Sequence, residues 1–287
     1  MKNKVLILGS TGMLGHQVYY YFKEEDNFEV INVSYRNQLT PETIILDLNN
    51  KFELEELLKQ QRPDYVVNCV GVLISGANNN PANAIYLNSY LPHLLSGICD
   101  EINAKLIHVS TDCVFSGEKG GYLESDEKDG KDIYAKTKAL GEVENSKHLT
   151  LRTSIIGPEL KTNGEGLFHW FMNQESETNG FTKAIWSGVT TTELAKVIAQ
   201  SIDQDLSGLY HVTNGQPINK YDLLQLFKEA TGKEMEIHSV EGKKVDKSFV
   251  DTRKELKLKV ATYKIMIKEM VGFMKTHPSL YKNYSLS

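Results

Sequence analysis

The chain predicts an α/β fold, a doubly wound parallel sheet with a smaller, mostly helical C-terminal lobe. Three observations predict it. Short apolar runs alternate with segments of helical spacing as far as Ile156, the order expected of a parallel sheet covered on both faces. The first run, Val5 to Leu8, contains no polar residue and leads straight into Gly9, Gly12 and Gly15, as suits a strand buried on both sides that ends in a tight turn. Beyond Gly157 the alternation fades and amphipathic helical segments dominate.

Met13, Leu14, Val18 and Phe22 continue from the glycines at helical spacing, so a helix begins inside that stretch. Gly9, Thr11, Gly12, Met13, Leu14 and Gly15 then form a turn at a helix N-terminus, where backbone N–H groups attract phosphate. Strand, turn and helix describe a dinucleotide-binding crossover unit of the Rossmann type, here spaced Gly-x-x-Gly-x-x-Gly. Phe28 to Tyr35 reads as the second strand, with Ser34 and Arg36 at its end. An acid there would hold the ribose of NAD; a small polar residue with an arginine fits the 2′-phosphate of NADP. Ile44 to Leu46 leads into Asp47 and Leu48, where the acid either faces an adenine edge or caps the next helix. That helix, Leu54 to Gln60, stops at Pro63.

Asp64 to Gly71 forms the third strand and its exit, with Cys69, Val70 and Gly71 at the carboxyl end beside the cofactor. An Asn-rich loop, Val72 to Asn80, follows. Pro81 opens a long helix to about Asn103 that contains Asn88 and is kinked by Pro92. Lys105 to Thr111 is the fourth strand, then come a polar loop over Glu118 to Lys131, a helix from Tyr134 to Val143, and a fifth strand from Leu149 to Ile155. Later helices are expected at Leu167 to Gln174, Thr192 to Ile202, Tyr221 to Thr231 and Thr262 to Lys275, with a strand at Leu209 to Thr213. Residues 1–156 are thus expected to form an NADP-binding domain, to which 183–214 adds a helix and a strand. Residues 157–182 and 215–287 are left for a substrate lobe over the sheet's carboxyl edge.

With 287 residues and a net charge of −5, the chain has room for a substantial core and no basic field that argues for nucleic acid. Lys243, Lys244, Lys247, Lys254, Lys257 and Lys259 are interleaved with acids and read as a solvated face. Cys69, Cys99 and Cys113 are odd in number and lack paired metal spacing, which suits reduced thiols in the cytoplasm. No convincing metal-ligand cluster, signal peptide or bilayer-length apolar run is present. A soluble cytoplasmic protein without nucleic-acid or membrane partners is expected.

Tyr134 and Lys138 are four residues apart and so share a helix face. A nearby ammonium favours phenolate, tuning a tyrosine for proton transfer, and Thr111 can add a hydroxyl to the same substrate oxygen. Tyr19 and Lys23 repeat the spacing in the first helix and read as structural. What distinguishes Tyr134 and Lys138 is their place after the glycine turn and 23 residues beyond Thr111.

These motifs resemble the extended short-chain dehydrogenase/reductases. Ser110-Thr111-Asp112-Cys113-Val114-Phe115-Ser116-Gly117, with Tyr122 and Glu124, is similar to a signature of the dTDP-4-dehydrorhamnose reductase group, as are Leu151 to Ser154, Gly208 to Val212 and Ser248 to Leu256. The resemblance implies NADPH-dependent reduction of the C4 ketone of a nucleotide-linked 4-keto-6-deoxy sugar for polysaccharide or glycan precursors. It implies that Tyr134 is the proton donor, assisted by Thr111 and Lys138, with Lys138 also on the nicotinamide ribose and Asn88 in the cofactor region. Val72, Asp112, Cys113, Arg152 and Trp170 would lie toward the substrate, and a homodimer is compatible with the group. Leu8, Cys113 and Ala135 replace the group's usual Thr, Tyr and Gly, and the Asn-rich loop suits a different sugar, such as an N-acetylated one. UDP-linked substrates, sugar-nucleotide epimerisation and a non-catalytic NADP-binding regulatory subunit remain as alternatives on the same scaffold.

Overall fold

The computed structural model of the chain describes residues 2–250, 252 and 258–286. Its centre is β1 (Asn3–Leu8), where Val5 to Leu8 are all inaccessible to solvent. After the glycine turn come α1 (Gly15–Glu24), β2 (Phe28–Ser34) and a two-residue edge strand, β3 (Ile44–Ile45). The chain then crosses back through α2 (Lys51–Gln61) to β4 (Tyr65–Asn68) on the other side of β1. An Asn50 cap, its side chain accepting from Glu53 N at 3.3 Å, starts α2 a turn earlier than the apolar pattern indicates.

Next are α3 (Ile74–Asn79), α4 (Pro81–Ala84), a π-helical turn at Ile85–Tyr90 and α5 (Leu91–Glu101). The expected loop at Val72 to Asn80 is therefore largely a short helix. The expected single helix from Pro81 is continuous but carries a π-turn, in which Leu91 N–H bonds to Tyr86 O one residue further back than in an α-helix. This extra residue sits just before Pro92, which has no N–H to give, and absorbs the disruption that the proline predicts.

β5 (Lys105–Thr111), α6 (Ile133–Leu140) and β6 (Leu149–Thr153) extend the sheet. The expected fifth strand breaks at Ser154, and β7 (Ile155–Ile156) turns away to meet a later strand. After α7 (Leu167–Met172) come β8 (Glu177–Phe181), β9 (Ala184–Trp186), β10 (Val189–Thr190) and α8 (Thr191–Asp203). The chain returns to the main sheet with β11 (Gly208–His211), which pairs with β6. It leaves again through β12 (Ile218–Asn219), α9 (Lys220–Thr231), β13 (Glu236–Val240), β14 (Val245–Asp246) and α10 (Tyr263–Thr276).

The main sheet has seven parallel strands in the order β11-β6-β5-β4-β1-β2-β3. Connections run outward in both directions from the junction of β1 and β4, the switch point at which such sheets bind ligands. Alternation along β1 fills both faces: Val5 and Ile7 join Val18, Phe22 and Ile198 in one core, while Leu6 and Leu8 join Leu54, Leu58 and Leu95 in the other. The short strands outside this sheet, β13 with β8, β10 with β7, and β9 between β12 and β14, were not evident in the sequence. Tyr19 is buried in the first core and Lys23 is exposed, so their spacing is incidental. Among the described residues, no helix is long and apolar enough to cross a membrane.

Candidate active site

β1 delivers Gly9 at the sheet's carboxyl edge with φ of +81°, and a Cβ there would stand 2.9 Å from Val70 Cγ2. A Cβ on Gly15 would lie 2.1 Å from Gly9 O, so glycine is what lets α1 close onto the turn. Against this turn opens a cavity of about 540 Å³. Gly9, Thr11, Gly12, Ser34, Arg36, Asp47, Leu48, Cys69, Val70 and Gly71 line it, as do Tyr35, Asn80, Asn83 and Lys161, which the sequence did not single out. A second cavity of about 510 Å³ lies around Asn3, Asp64 and Lys105, at the amino ends of the strands and away from the glycine turn.

Several lining residues are held by their neighbours. The Arg36 guanidinium lies 4.4 Å over the Tyr35 ring and donates to its hydroxyl at 3.1 Å. The Ser34 hydroxyl donates to Asn37 O, shaping the turn after β2. Asp47 accepts from Asn49 N at 3.0 Å and from Asn49 Nδ2 at 2.8 Å. Met13, Leu14 and Gly15 do not line the cavity: Leu14 is buried in the core, and Met13 packs toward Gly166.

Asn88 also departs from its expected place. It is buried, its Oδ1 accepts from Val72 N at 2.8 Å, and its Nδ2 donates to Val72 O at 2.9 Å and Thr137 Oγ1 at 3.2 Å. It fastens the segment after Gly71 to α6. Val72, clamped through its backbone, packs its side chain over Gly76.

Thr111 ends β5. Its Oγ1 donates to Asp112 Oδ1 and accepts from Cys113 N, both at 3.1 Å, and it lies near the Tyr134 phenol. Asp132 caps α6, accepting from Ala135 N at 2.8 Å, and so orients the turn that carries Tyr134. Lys138 is buried; its Nζ donates to Val109 O at 2.8 Å and lies 3.3 Å from His108 Nε2. Burial pulls the Lys138 ammonium down to about 8, against the opposing pull of Glu142. The phenol does not show the lowering expected from Lys138. Burial raises its pKa, Cys113 and Asp112 add to the rise, and the Thr111 bond opposes it. In this geometry the Lys138 ammonium is anchored on the β5 backbone, one helical turn from the phenol.

Asp112 is buried and its carboxyl is raised by desolvation, while burial pushes the Cys113 thiol up to about 11. Both lie near Tyr134. Arg152 is different. It is 1% exposed, and its Nε and Nη2 donate to the two Glu142 oxygens, each at 2.7 Å. Nη1 meets His211 Nε2 at 2.9 Å and Glu124 O at 3.3 Å. With its donors satisfied inside the protein, Arg152 is not available to a substrate. Its partner Glu142 accepts from Ser110 Oγ at 2.6 Å, next to Thr111. Trp170 is 41% exposed on α7, whose Phe168 and Phe171 enter the core, and it does not line the cavity.

One lysine read as solvated is not. Lys247 is half-buried, and its side chain passes over Gly117 toward Cys113 and Asp112. Lys243, Lys244 and Lys259 are exposed, as expected; Lys254, Lys257 and most of the Asp251 to Leu256 stretch lie outside the described residues. The three cysteines are free thiols. Among the described residues, no three His, Cys, Asp or Glu side chains group as metal ligands.

A doubly wound parallel sheet, a glycine turn at its switch point, and a tyrosine–lysine helix facing Thr111 together define an extended short-chain dehydrogenase/reductase. The chain belongs to the RmlD substrate binding domain family, which matches residues 2–255. It is 27% identical over 241 residues to the probable low-salt glycan biosynthesis reductase Agl14 of Haloferax volcanii, covering 79% of each chain. It is 25% identical over 234 residues to methionine adenosyltransferase 2 subunit beta of Xenopus laevis, covering 77% of this chain and 70% of that one. Among solved structures, dTDP-4-dehydrorhamnose reductase of Bacillus anthracis in complex with NADP superposes with a TM-score of 0.80 at 20% identity, over 96% of this chain and all of the other.

Proposed function

We propose that this chain is an NADPH-dependent reductase of the C4 ketone of a nucleotide-linked 4-keto-6-deoxy sugar, serving precursor synthesis for a cell-surface polysaccharide or glycan. The observation that carries the reading is that β5 ends in Thr111 beside Tyr134, on the same carboxyl edge of the sheet as the glycine turn, with Lys138 one helical turn further along α6 and held on Val109 O. Family membership, the reductase name of the Haloferax relative and the NADP of the Bacillus structure support it.

The residues fit the cofactor: Gly9 leaves room where a Cβ would meet Val70, and Arg36 offers a guanidinium at the rim for a 2′-phosphate. Gly9, Thr11 and Gly12 would hold its phosphates, and Cys69, Val70 and Gly71 would back it. NADPH supplies the hydride when bound. Tyr134, kept protonated by burial, donates its proton to the carbonyl oxygen. Thr111 holds that oxygen from the strand side, and Lys138 returns positive charge to the phenolate left behind. Asp112 and Cys113 border the sugar. Residues 1–156 with 183–214 form the cofactor half, and 157–182 with 215–287 the substrate lobe.

The test is NADPH absorbance against a panel of dTDP- and UDP-linked 4-keto-6-deoxy sugars, including N-acetylated ones. Consumption with one of them is expected. NADPH binding without consumption of any member would instead favour a non-catalytic subunit, the reading that the Xenopus relative's name supports.

A pH dependence follows from Lys138. Its pKa of about 8 lies below the ordinary lysine value of 10.5. Below about 8 the ammonium is present in folded and unfolded chains alike. Between about 8 and 10.5 the folded chain loses the proton first, so this group's contribution to stability rises with pH while its service to the phenolate is lost. Turnover should therefore fall above pH about 8, by about tenfold per unit once the limb is established. Lys138→Arg, with a side chain that stays charged, should move that limb up by more than one unit. An unmoved limb would assign it to another group.

A further inference from the structure

The stretch from Val245 to Val250 packs against the loop that follows Thr111. Val245 N donates to Lys183 O at 3.1 Å and Lys247 N to Ile185 O at 3.2 Å, fixing one edge to β9. On the other edge, Asp246 N donates to Gly117 O at 2.8 Å, Tyr122 N to Ser248 O at 2.8 Å and Val250 N to Tyr122 O at 2.9 Å. The stretch thus bridges β9 and the loop that follows Thr111. Gly117 makes room for it, since a Cβ there would stand 2.4 Å from Val245 Cγ2 and 3.1 Å from Lys247 Cγ. The Lys247 stem passes over Gly117, which brings its side chain into the neighbourhood of Cys113, Asp112 and Asp132. Tyr134 has these same three neighbours, Cys113, Asp112 and Asp132. Lys247 therefore brings a cation into the shell around the candidate proton donor.

An ammonium carries three donors and no acceptor, and a thiol is a weak acceptor. The contact with Cys113 compensates poorly for taking the lysine partly out of water. Asp112 and Asp132 add negative charge around it, so the group offers hydrogen-bond donors more than a free positive field. A neutral oxygen suits it better than a phosphate.

We propose that Lys247 is a specificity-determining substrate contact whose ammonium donates to a hydroxyl or acyl oxygen of the sugar, on the side of the ring that faces Cys113. This inference rests on the nucleotide-sugar reading above and names the group that reads the sugar.

Binding separates the two. Calorimetry with NADP present would compare dTDP-glucose with dTDP, and UDP-N-acetylglucosamine with UDP, on the wild type and on Lys247→Met. The wild type should hold one sugar nucleotide at least about tenfold more tightly than its bare diphosphate, the scale of a hydrogen bond to a charged group. In Lys247→Met that preference should shrink to about twofold or less, with the affinities for bare diphosphate and for NADPH within about twofold of wild type. Lys247→Gln, shorter and uncharged, should show the same collapse, and NADPH affinity reports folding in both variants. The inference is overturned if the variants keep the sugar preference, or if they lose sugar nucleotide and bare diphosphate in equal measure. A wild type that binds NADPH but no sugar nucleotide overturns the functional reading as well; a wild type that binds it and variants that match overturn this inference alone.

Discussion

Tyr134→Phe is expected to lower kcat by about 10²- to 10⁴-fold, the range that a positioned proton donor contributes. Affinity for NADPH should stay within about twofold, because the cavity that begins at Gly9 is lined by other residues. The change removes one oxygen from a side chain whose ring remains packed. Stability should fall by only about 1 kcal/mol, the scale of a single polar contact. Kinetics with the best sugar nucleotide of the panel, alongside NADPH titration, would check both halves. Turnover within about threefold of wild type would remove Tyr134 from the mechanism.

Arg152→Met should be the most damaging substitution for stability. It deletes one member of a bidentate pair in which Glu142 and Arg152 are both buried. Burial pushes the Glu142 carboxyl up, but Arg152 and Lys128 together hold it below the ordinary range, so it is a carboxylate in the folded protein. Without the guanidinium, that charge keeps Lys128 at 2.8 Å and Ser110 at 2.6 Å and loses its two strongest donors. Breaking a buried pair from one side costs about 3–5 kcal/mol. In a chain of this size that lowers Tm by about 6–20 °C. Adding Glu142→Gln should recover part of the loss, since the stranded charge is then gone. Scanning calorimetry of wild type, single and double variants decides it, and a Tm for Arg152→Met within about 2 °C of wild type would refute the account.

The same pair shows where the sequence stops being legible. An arginine next to a strand's end looks like a group aimed at a ligand. Nothing in the local pattern reveals that Glu142, just past the end of α6, will take the Nε–Nη2 edge of its guanidinium. The glycine turn and the Tyr134–Lys138 helix were readable because each depends on spacing along a single element. The parallel sheet was readable because burial on both faces leaves strands such as Val5 to Leu8 without polar interruptions, whereas the two-residue edge strand β3 was not. Asn88 stood out as a polar residue in an apolar helix, but its use on Val72 and Thr137 depends on the π-turn, which the sequence marks only by Pro92. Strands of two to five residues, such as β9 and β14, are too short to show a period. Lys247 was hidden because its neighbour Cys113 lies far away in the chain and their approach depends on Gly117.

Tyr281 carries a consequence of its own. His16, at the start of α1, is inaccessible to solvent, and its Nε2 meets the Tyr281 hydroxyl at 2.8 Å across 265 residues of chain. Gln17 Nε2 donates to the same hydroxyl, and its Oε1 accepts from Thr192 of α8 at 2.8 Å. These polar groups directly behind the phosphate-facing turn thus take their partners from segments that a ribosome releases long after the turn itself. During synthesis α1 can form on β1, but the floor beneath the glycines stays wet and unlatched until Tyr281 arrives. A nascent chain should then hold its dinucleotide weakly for most of its translation, and the nucleotide becomes a late witness of folding rather than a seed for it.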